Sequence, residues 1–366
     1  MIGCSIAYHL SKEGLKVVVF ERDSIGCHAS GCASGGLVPF LKSATLVDED
    51  LFNFSIRGFN LHEELYQELK GLAGIDYYFR KTNLLRLAFT DEEVNELKKW
   101  IYQQVRVGWK GGWLNRREAL NIESRIAPAI LGAAYIQNIG ELDSYKYVLA
   151  LAQAAEKSGT EIRHGDILNA KKEGANLIRI QLASGDVTCE RLILAMGPWA
   201  VQAASWFDCA VPVKSQKGQI LRLKSPGLPF STSLSWGMFH MRTKHDGLIT
   251  GGTTYEDAGF NTQPTVEGRE TIINGLLAMI PSLMDAGLAL HTACLRPTSE
   301  DGLPVIGEIP GLKGVYIATG HGGDGILLST ITANVITDLV LNRKASFPVK
   351  PFSPLRFKNS NNALNC

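Results

Sequence analysis

The chain has 366 residues, 45% of them apolar, enough to bury a large core divided between two domains. Its 37 basic and 36 acidic side chains leave a net charge of +1, which argues against a nucleic-acid footprint or an acidic macromolecular partner. The most apolar stretch, residues 192–207, is interrupted by Gly197 and Pro198 and is too short to cross a bilayer, and no basic segment precedes an apolar run as in a secretory leader.

In chain order, Met1-Ile2-Gly3 leads into a helix-like run over residues 4–13, then Gly14, then the buried-strand pattern Val17-Val18-Val19-Phe20 ending in Glu21. In a dinucleotide-binding βαβ unit the third glycine lets the helix pack on the strand, and an acid about 20 residues on accepts ribose hydroxyls. Gly3 and Glu21 fit those two places. The unit's first strand and first two glycines do not precede them, so a start placed too late or a truncated product is expected. Residues 59–69 and 91–104 read as helices and 145–159 as an amphipathic helix. Residues 176–182, the turn Ser184-Gly185-Asp186 and residues 187–195 read as a hairpin leading into a buried strand. From 213 to 295 alternating strands mix with one helix, 265–279.

Near the carboxyl end, residues 314–319 form an apolar strand, 320–325 a turn that glycines pack tightly, and 326–341 a helix. A strand, a glycine turn and a helix N-terminus make an anion site. These changes of character suggest a cofactor domain built from residues 1–42, 142–212 and 296–345. A substrate domain would take 43–141 and 213–295, with 346–366 as a tail. Such interleaving places a small-molecule site between the domains.

Seven cysteines, at 4, 27, 32, 189, 209, 294 and 366, are odd in number and form no C-x-x-C pair. Neither a disulfide framework nor a metal site is expected, and most should be small buried residues of a reducing compartment. The expected location is the cytoplasm, with peripheral membrane association left open.

Several motifs stand in a recognisable order. They are Ala29-Ser30-Gly31-Cys32-Ala33-Ser34-Gly35-Gly36-Leu37, then Leu192-Ile193-Leu194-Ala195-Met196-Gly197-Pro198-Trp199, then Val211-Pro212-Val213 with Lys217-Gly218-Gln219. Gly251-Gly252-Thr253-Thr254 with Gly259-Phe260 follows, then Leu295-Arg296-Pro297, and finally Gly320-His321-Gly322-Gly323-Asp324-Gly325. Over residues 1–345 the chain resembles the FAD-dependent D-amino-acid oxidase family, nearest its glycine oxidase, sarcosine oxidase and D-amino-acid dehydrogenase branch. The resemblance implies an α/β fold: an FAD-binding Rossmann-like domain, its first strand missing, interleaved with an α+β substrate domain containing a mixed or antiparallel sheet.

The resemblance also implies FAD as cofactor. Its contacts would be Gly3, Glu21, Arg22, Ser30, Gly35, Gly36, Leu37, Ile167, Gly197 and Trp199, with Gly320, Gly322, Gly323, Asp324, Gly325 and Ile326. Gly36 and Leu37 would face the flavin, Ile167 would touch adenine through its backbone, and the 320–325 backbone would lie at the ring edge. Attachment of FAD through Cys294 is not expected, because its surroundings do not resemble the family's attachment site.

Arg296 would grip a substrate carboxylate with its planar fork; the alternative is a structural ion pair with Glu300 or Asp301. His240 and His321 complete the catalytic candidates, each with a packing role as alternative. Glycine oxidases resembling this chain often carry an Arg-Asn pair where Gly323-Asp324 stands, so a second clamp is missing. The aromatic position near the substrate falls at Phe239-His240. A roomier pocket for a secondary or N-substituted amine is therefore expected. The activity implied is oxidation of the C–N bond of a small amino acid or secondary amino acid, of the glycine, sarcosine, D-amino acid or hydroxyproline class. Hydride transfer to flavin would give an imine and then an oxo acid. Two alternatives stay open: the flavoprotein subunit of a multi-subunit amino-acid or opine dehydrogenase, and a truncated non-catalytic remnant. A homo-oligomer or a heteromeric dehydrogenase complex is likewise left open.

Overall fold

Residues 1–39 and 49–357 are described by a computed structural model of the chain. Short parallel strands build the first layer. Val18–Glu21 pairs in parallel with Glu161–His164, and Leu192–Leu194 in parallel with Val315–Thr319, whose other edge takes Val305–Glu308 antiparallel. These two fragments are separate sheets among the described residues. The helices Ile2–Lys12, Ser144–Lys157 and Ser329–Val340 bury their apolar faces in one shared core, to which Glu49–Ala73 adds Phe54, Phe59 and Leu69.

Local chemistry sets most boundaries. Asp143 accepts from Lys146 N at 2.9 Å and starts Ser144–Lys157, one residue earlier than apolar spacing indicates. Thr90 and Glu93 form a reciprocal capping box on Asp91–Arg106, and Thr265 caps Val266–Met279. The expected hairpin forms from Leu177–Leu182 and Gly185–Cys189, joined antiparallel by Ile167–Gly174. The run that follows is not one strand, because the chain breaks at Glu190-Arg191 and Leu192–Leu194 joins a different sheet.

The second layer is a nine-stranded sheet. Its neighbours run Gly287–Ser299, Val213–Lys224, Ile249–Gly252, Phe239–Thr243, Thr232–Trp236, Arg80–Ala88, Gly132–Glu141 and Gly36–Leu37, with Gly111–Asn115 also on Gly132–Glu141. It is mixed: Thr232–Trp236 and Arg80–Ala88 run parallel and the other named pairings antiparallel. Ile272, Leu276 and Met279 of Val266–Met279 share a core with Leu221, Leu234 and Met241 of the sheet.

One expected helix start is corrected. The last helix begins at Ser329, not at 326, because the Ile326 carbonyl is already engaged by Ser329 Oγ at 2.7 Å and the His62 ring at 2.9 Å. The proposed domain boundary at 42/43, the tail beyond 357 and Cys366 lie outside the described residues. No helix among the described residues is long and apolar enough to cross a membrane.

Candidate functional site

A cavity of about 1260 Å3 runs from the first layer to the nine-stranded sheet. At one end it lies between Val17–Phe20 and the 191–195 segment; at the other it reaches His240, Arg242, Tyr255 and Arg296. It exceeds the ~300–1,000 Å3 of an ordinary small-molecule pocket, which suits a dinucleotide and a substrate together.

Arg296 sits on the continuous strand Gly287–Ser299, opposite Gln216 of Val213–Lys224. Its Nη2 donates to Thr253 Oγ1 at 2.5 Å and its Nη1 to the Thr254 carbonyl at 3.1 Å, while the guanidinium lies 4.8 Å from the centre of the Tyr255 ring. The segment that holds it is pinned in turn. Lys217 and Glu256 exchange backbone hydrogen bonds at 2.9 Å, and the ammonium of Lys217, a residue only 1% exposed, meets the Glu256 carboxylate at 3.2 Å. A Cβ on Gly218 would overlap the guanidinium, so the glycine leaves Arg296 its place above the strand. Of the two acids in the ion-pair alternative, Asp301 is bound by Arg356 at 2.6 Å, and no ion pair of Arg296 stands among the described residues. Burial lowers its pKa, yet a guanidinium stays charged.

His240 and Arg242, two apart on Phe239–Thr243, both line the cavity. The His240 Nε2 is buried without a hydrogen-bond partner. Burial first, then the charges of Arg242 and Arg296, pulls its pKa down to about 3, so the ring is neutral at ordinary pH. Sequence reasoning missed Arg242, Thr253 and Tyr255. The period of two along a strand was the available signal for Arg242, because it sets 240 and 242 on one face.

Toward the first layer, the helix Ile2–Lys12 opens on the cavity with no side-chain cap and no acid in its first turn. Its first N–H groups therefore suit an anion. A Cβ on Gly3 would stand 3.5 Å from Ala195 Cβ, an ordinary contact, so helix packing alone does not demand glycine there. Glu21 ends its strand with its carboxylate accepting from Asp23 N at 3.0 Å. Arg22 lies 4.7 Å from the Trp199 ring centre. Both border the cavity with Ser30, Ile167, Gly197 and Gly320–Ile326. Open space lies where Gly322 and Gly323 would carry a Cβ. An uncapped helix start, an acid at a strand end and open glycines fit FAD.

Three expectations change. Leu37 is fully buried in the apolar core, so its side chain does not face the cavity; strand alternation turns its neighbours Gly36 and Val38 that way instead. Gly35 also lies outside the lining, its carbonyl accepting from Leu142 N at 2.9 Å. His321 was a catalytic candidate. Its ring instead meets Thr332 Oγ1 at 3.0 Å in the following helix, and burial lowers its pKa to about 3, the environment of a packing residue. Cys32 and Cys294 also border the cavity, and the six described cysteines are free.

Comparison with known proteins agrees with this geometry. The family model for FAD dependent oxidoreductase (DAO) matches residues 1–339. Glycine oxidase of Geobacillus kaustophilus is 27% identical over 359 residues, covering 97% of this chain and 94% of that protein. Its crystal structure superposes with a TM-score of 0.92 over 96% of this chain and 95% of the other. Hydrogen cyanide synthase subunit HcnC of Pseudomonas aeruginosa is 27% identical over 397 residues, covering 98% and 94%. With its fold, its cavity and a family match over nearly its whole length, the chain belongs to the DAO family of FAD-dependent oxidoreductases.

Proposed function

We propose that the chain oxidises the C–N bond of a small amino acid or secondary amino acid, and that Arg296 grips the substrate carboxylate. The observation that carries this reading is a half-buried guanidinium facing the cavity with no ion-paired carboxylate among the described residues, held in place by Thr253, Thr254 and Tyr255. Its similarity to glycine oxidases supports an amino acid as substrate.

FAD, when bound, supplies the hydride acceptor. Helix Ile2–Lys12, Glu21, Ser30, Gly36 and the 320–326 loop are the residues that would hold it. Arg296 fixes one end of the substrate, which sets the direction of its Cα–H and supplies orientation. The substrate reacts as a free amine, so turnover rises with pH through the amine's ionisation in the complex. His240, neutral and with Nε2 unpartnered, can accept a hydrogen bond from the amine or donate one to the carboxylate, according to its tautomer. The imine leaves and hydrolyses to an oxo acid.

The purified chain, loaded with FAD and mixed anaerobically with a panel of amino acids and secondary amines, should lose its visible flavin absorbance with at least one of them. A fully loaded protein bleached by none would sink the reading. Similarity to a cyanide synthase subunit favours a second reading of the electron exit, in which a partner takes the electrons. Rapid dye reduction with slow oxygen consumption would support it.

A further inference from the structure

Arg242 is a buried cation that the grip on one carboxylate does not use. It is 4% exposed and lines the cavity, and its Nε and Nη1 have no hydrogen-bond partner. Glu141, whose charge acts on Arg242, is hydrogen-bonded elsewhere: it is bound by Arg80 Nε at 2.6 Å and lies near Ser233 Oγ at 3.5 Å. Nor is more positive charge needed locally, since the Lys244 ammonium sits close by, donating to the Ser34 carbonyl at 2.9 Å and to the Leu142 carbonyl. Burying an unpaired guanidinium costs stability unless something pairs with it. The fold has made room for this one, because any Cβ on Gly36 would overlap it.

Arg296 lies over Gly218 of Val213–Lys224, whereas Arg242 lies over Gly36 of Gly36–Leu37. Different strands cradle the two cations, and His240 feels the charge of both. The cavity therefore offers two anion subsites, with the neutral His240 ring among its lining residues. Resting on the reading of Arg296 above, we propose that Arg242 is the second anion-binding residue of the substrate chamber. The preferred substrate is then an amine bearing two carboxylates, one held by each guanidinium, with the oxidised C–N bond between them.

The test uses the FAD-loaded protein and two unreactive probes in which sulfur replaces the amine: thiodiacetate, with two carboxylates, and (methylthio)acetate, with one. Calorimetry reads their binding whether or not the flavin turns over. Thiodiacetate should bind roughly 30-fold more tightly or better, the scale of one added charge-assisted pair. Arg242→Met should abolish that advantage, Arg242→Lys should restore part of it, and Arg296→Ala should weaken both probes. A melting temperature kept or raised in Arg242→Met would show that the variant folds and that the cation is not a structural prop.

Equal binding of the two probes by the unaltered protein would overturn the proposal, as would their equal weakening in Arg242→Met. Loss of FAD from Arg242→Met with the probe ratio intact would also overturn it, assigning the guanidinium to the cofactor. If no amine bleaches the flavin but the probe ratio holds, the oxidation reading falls and the second subsite stands. Bleaching by a monocarboxylate amine with no probe preference gives the reverse.

Discussion

At the scale of single residues, the site depends on what two glycines leave out. Arg296→Ala should retain FAD while raising the dissociation constant of (methylthio)acetate about 100-fold or more, since a charge-assisted fork is lost from a half-buried site. Unchanged affinity in that variant would remove Arg296 from the substrate grip. Gly218→Ala reaches the same cation from below. Its methyl group would displace the guanidinium from Thr253 and Thr254, so probe binding should weaken tenfold or more. Because alanine suits a strand backbone at least as well as glycine, the melting temperature should change little. A calorimetric titration beside a melting curve checks both expectations, and an unaltered titration would mean that the arginine has somewhere else to go. Arg296 was legible in the sequence because Leu295-Arg296-Pro297 stands in a familiar order. Arg242 was legible only through strand alternation with His240, because nothing in Met-Arg-Thr-Lys by itself marks a buried cation.

Among elements, those with strong local signals were the legible ones. The helix Val266–Met279 and the hairpin of Leu177–Leu182 with Gly185–Cys189 follow from capping, periodicity and turn chemistry close in sequence. What pairs with what was not legible. The nine-stranded sheet brings Gly36–Leu37 beside Gly132–Glu141, more than a hundred residues further on, and long-range pairing leaves no mark in a short window. The start at Ser329 was hidden for the same reason, since His62 on a distant helix takes the carbonyl that would have continued the turn. The resemblance places a second clamp at Gly323-Asp324, in the glycine loop, where this chain lacks it. The nine-stranded sheet presents a second cation instead, from a strand that sequence order gave no reason to place there.

Across the whole molecule, burial of uncharged histidines sets the response to acid. His62 is fully buried with a pKa lowered to about 4, and His321 has one lowered to about 3, both by loss of water. Unfolded histidines titrate near 6.5, so each contributes stability that is complete above about pH 6.5 and falls as pH drops toward those values. The slope approaches about 1.4 kcal/mol per pH unit for each residue in that window. Urea midpoints measured at pH 7, 6 and 5 should decline, and His62→Gln should flatten the decline; a constant midpoint would mean that these rings find protons without unfolding. The backbone bridge between Thr298 and His321 has a different consequence. Thr298 lies two residues beyond Arg296 on the same strand, and His321 opens the loop assigned to the cofactor, so ordering one side orders the other. Reciprocity then requires that FAD tighten a carboxylate's hold by the same factor by which the carboxylate tightens FAD. Titrating FAD with and without saturating thiodiacetate, and thiodiacetate with and without FAD, should return one shared number greater than one. An enzyme wired this way keeps its cofactor best while it is occupied with substrate, and sheds it most readily when idle.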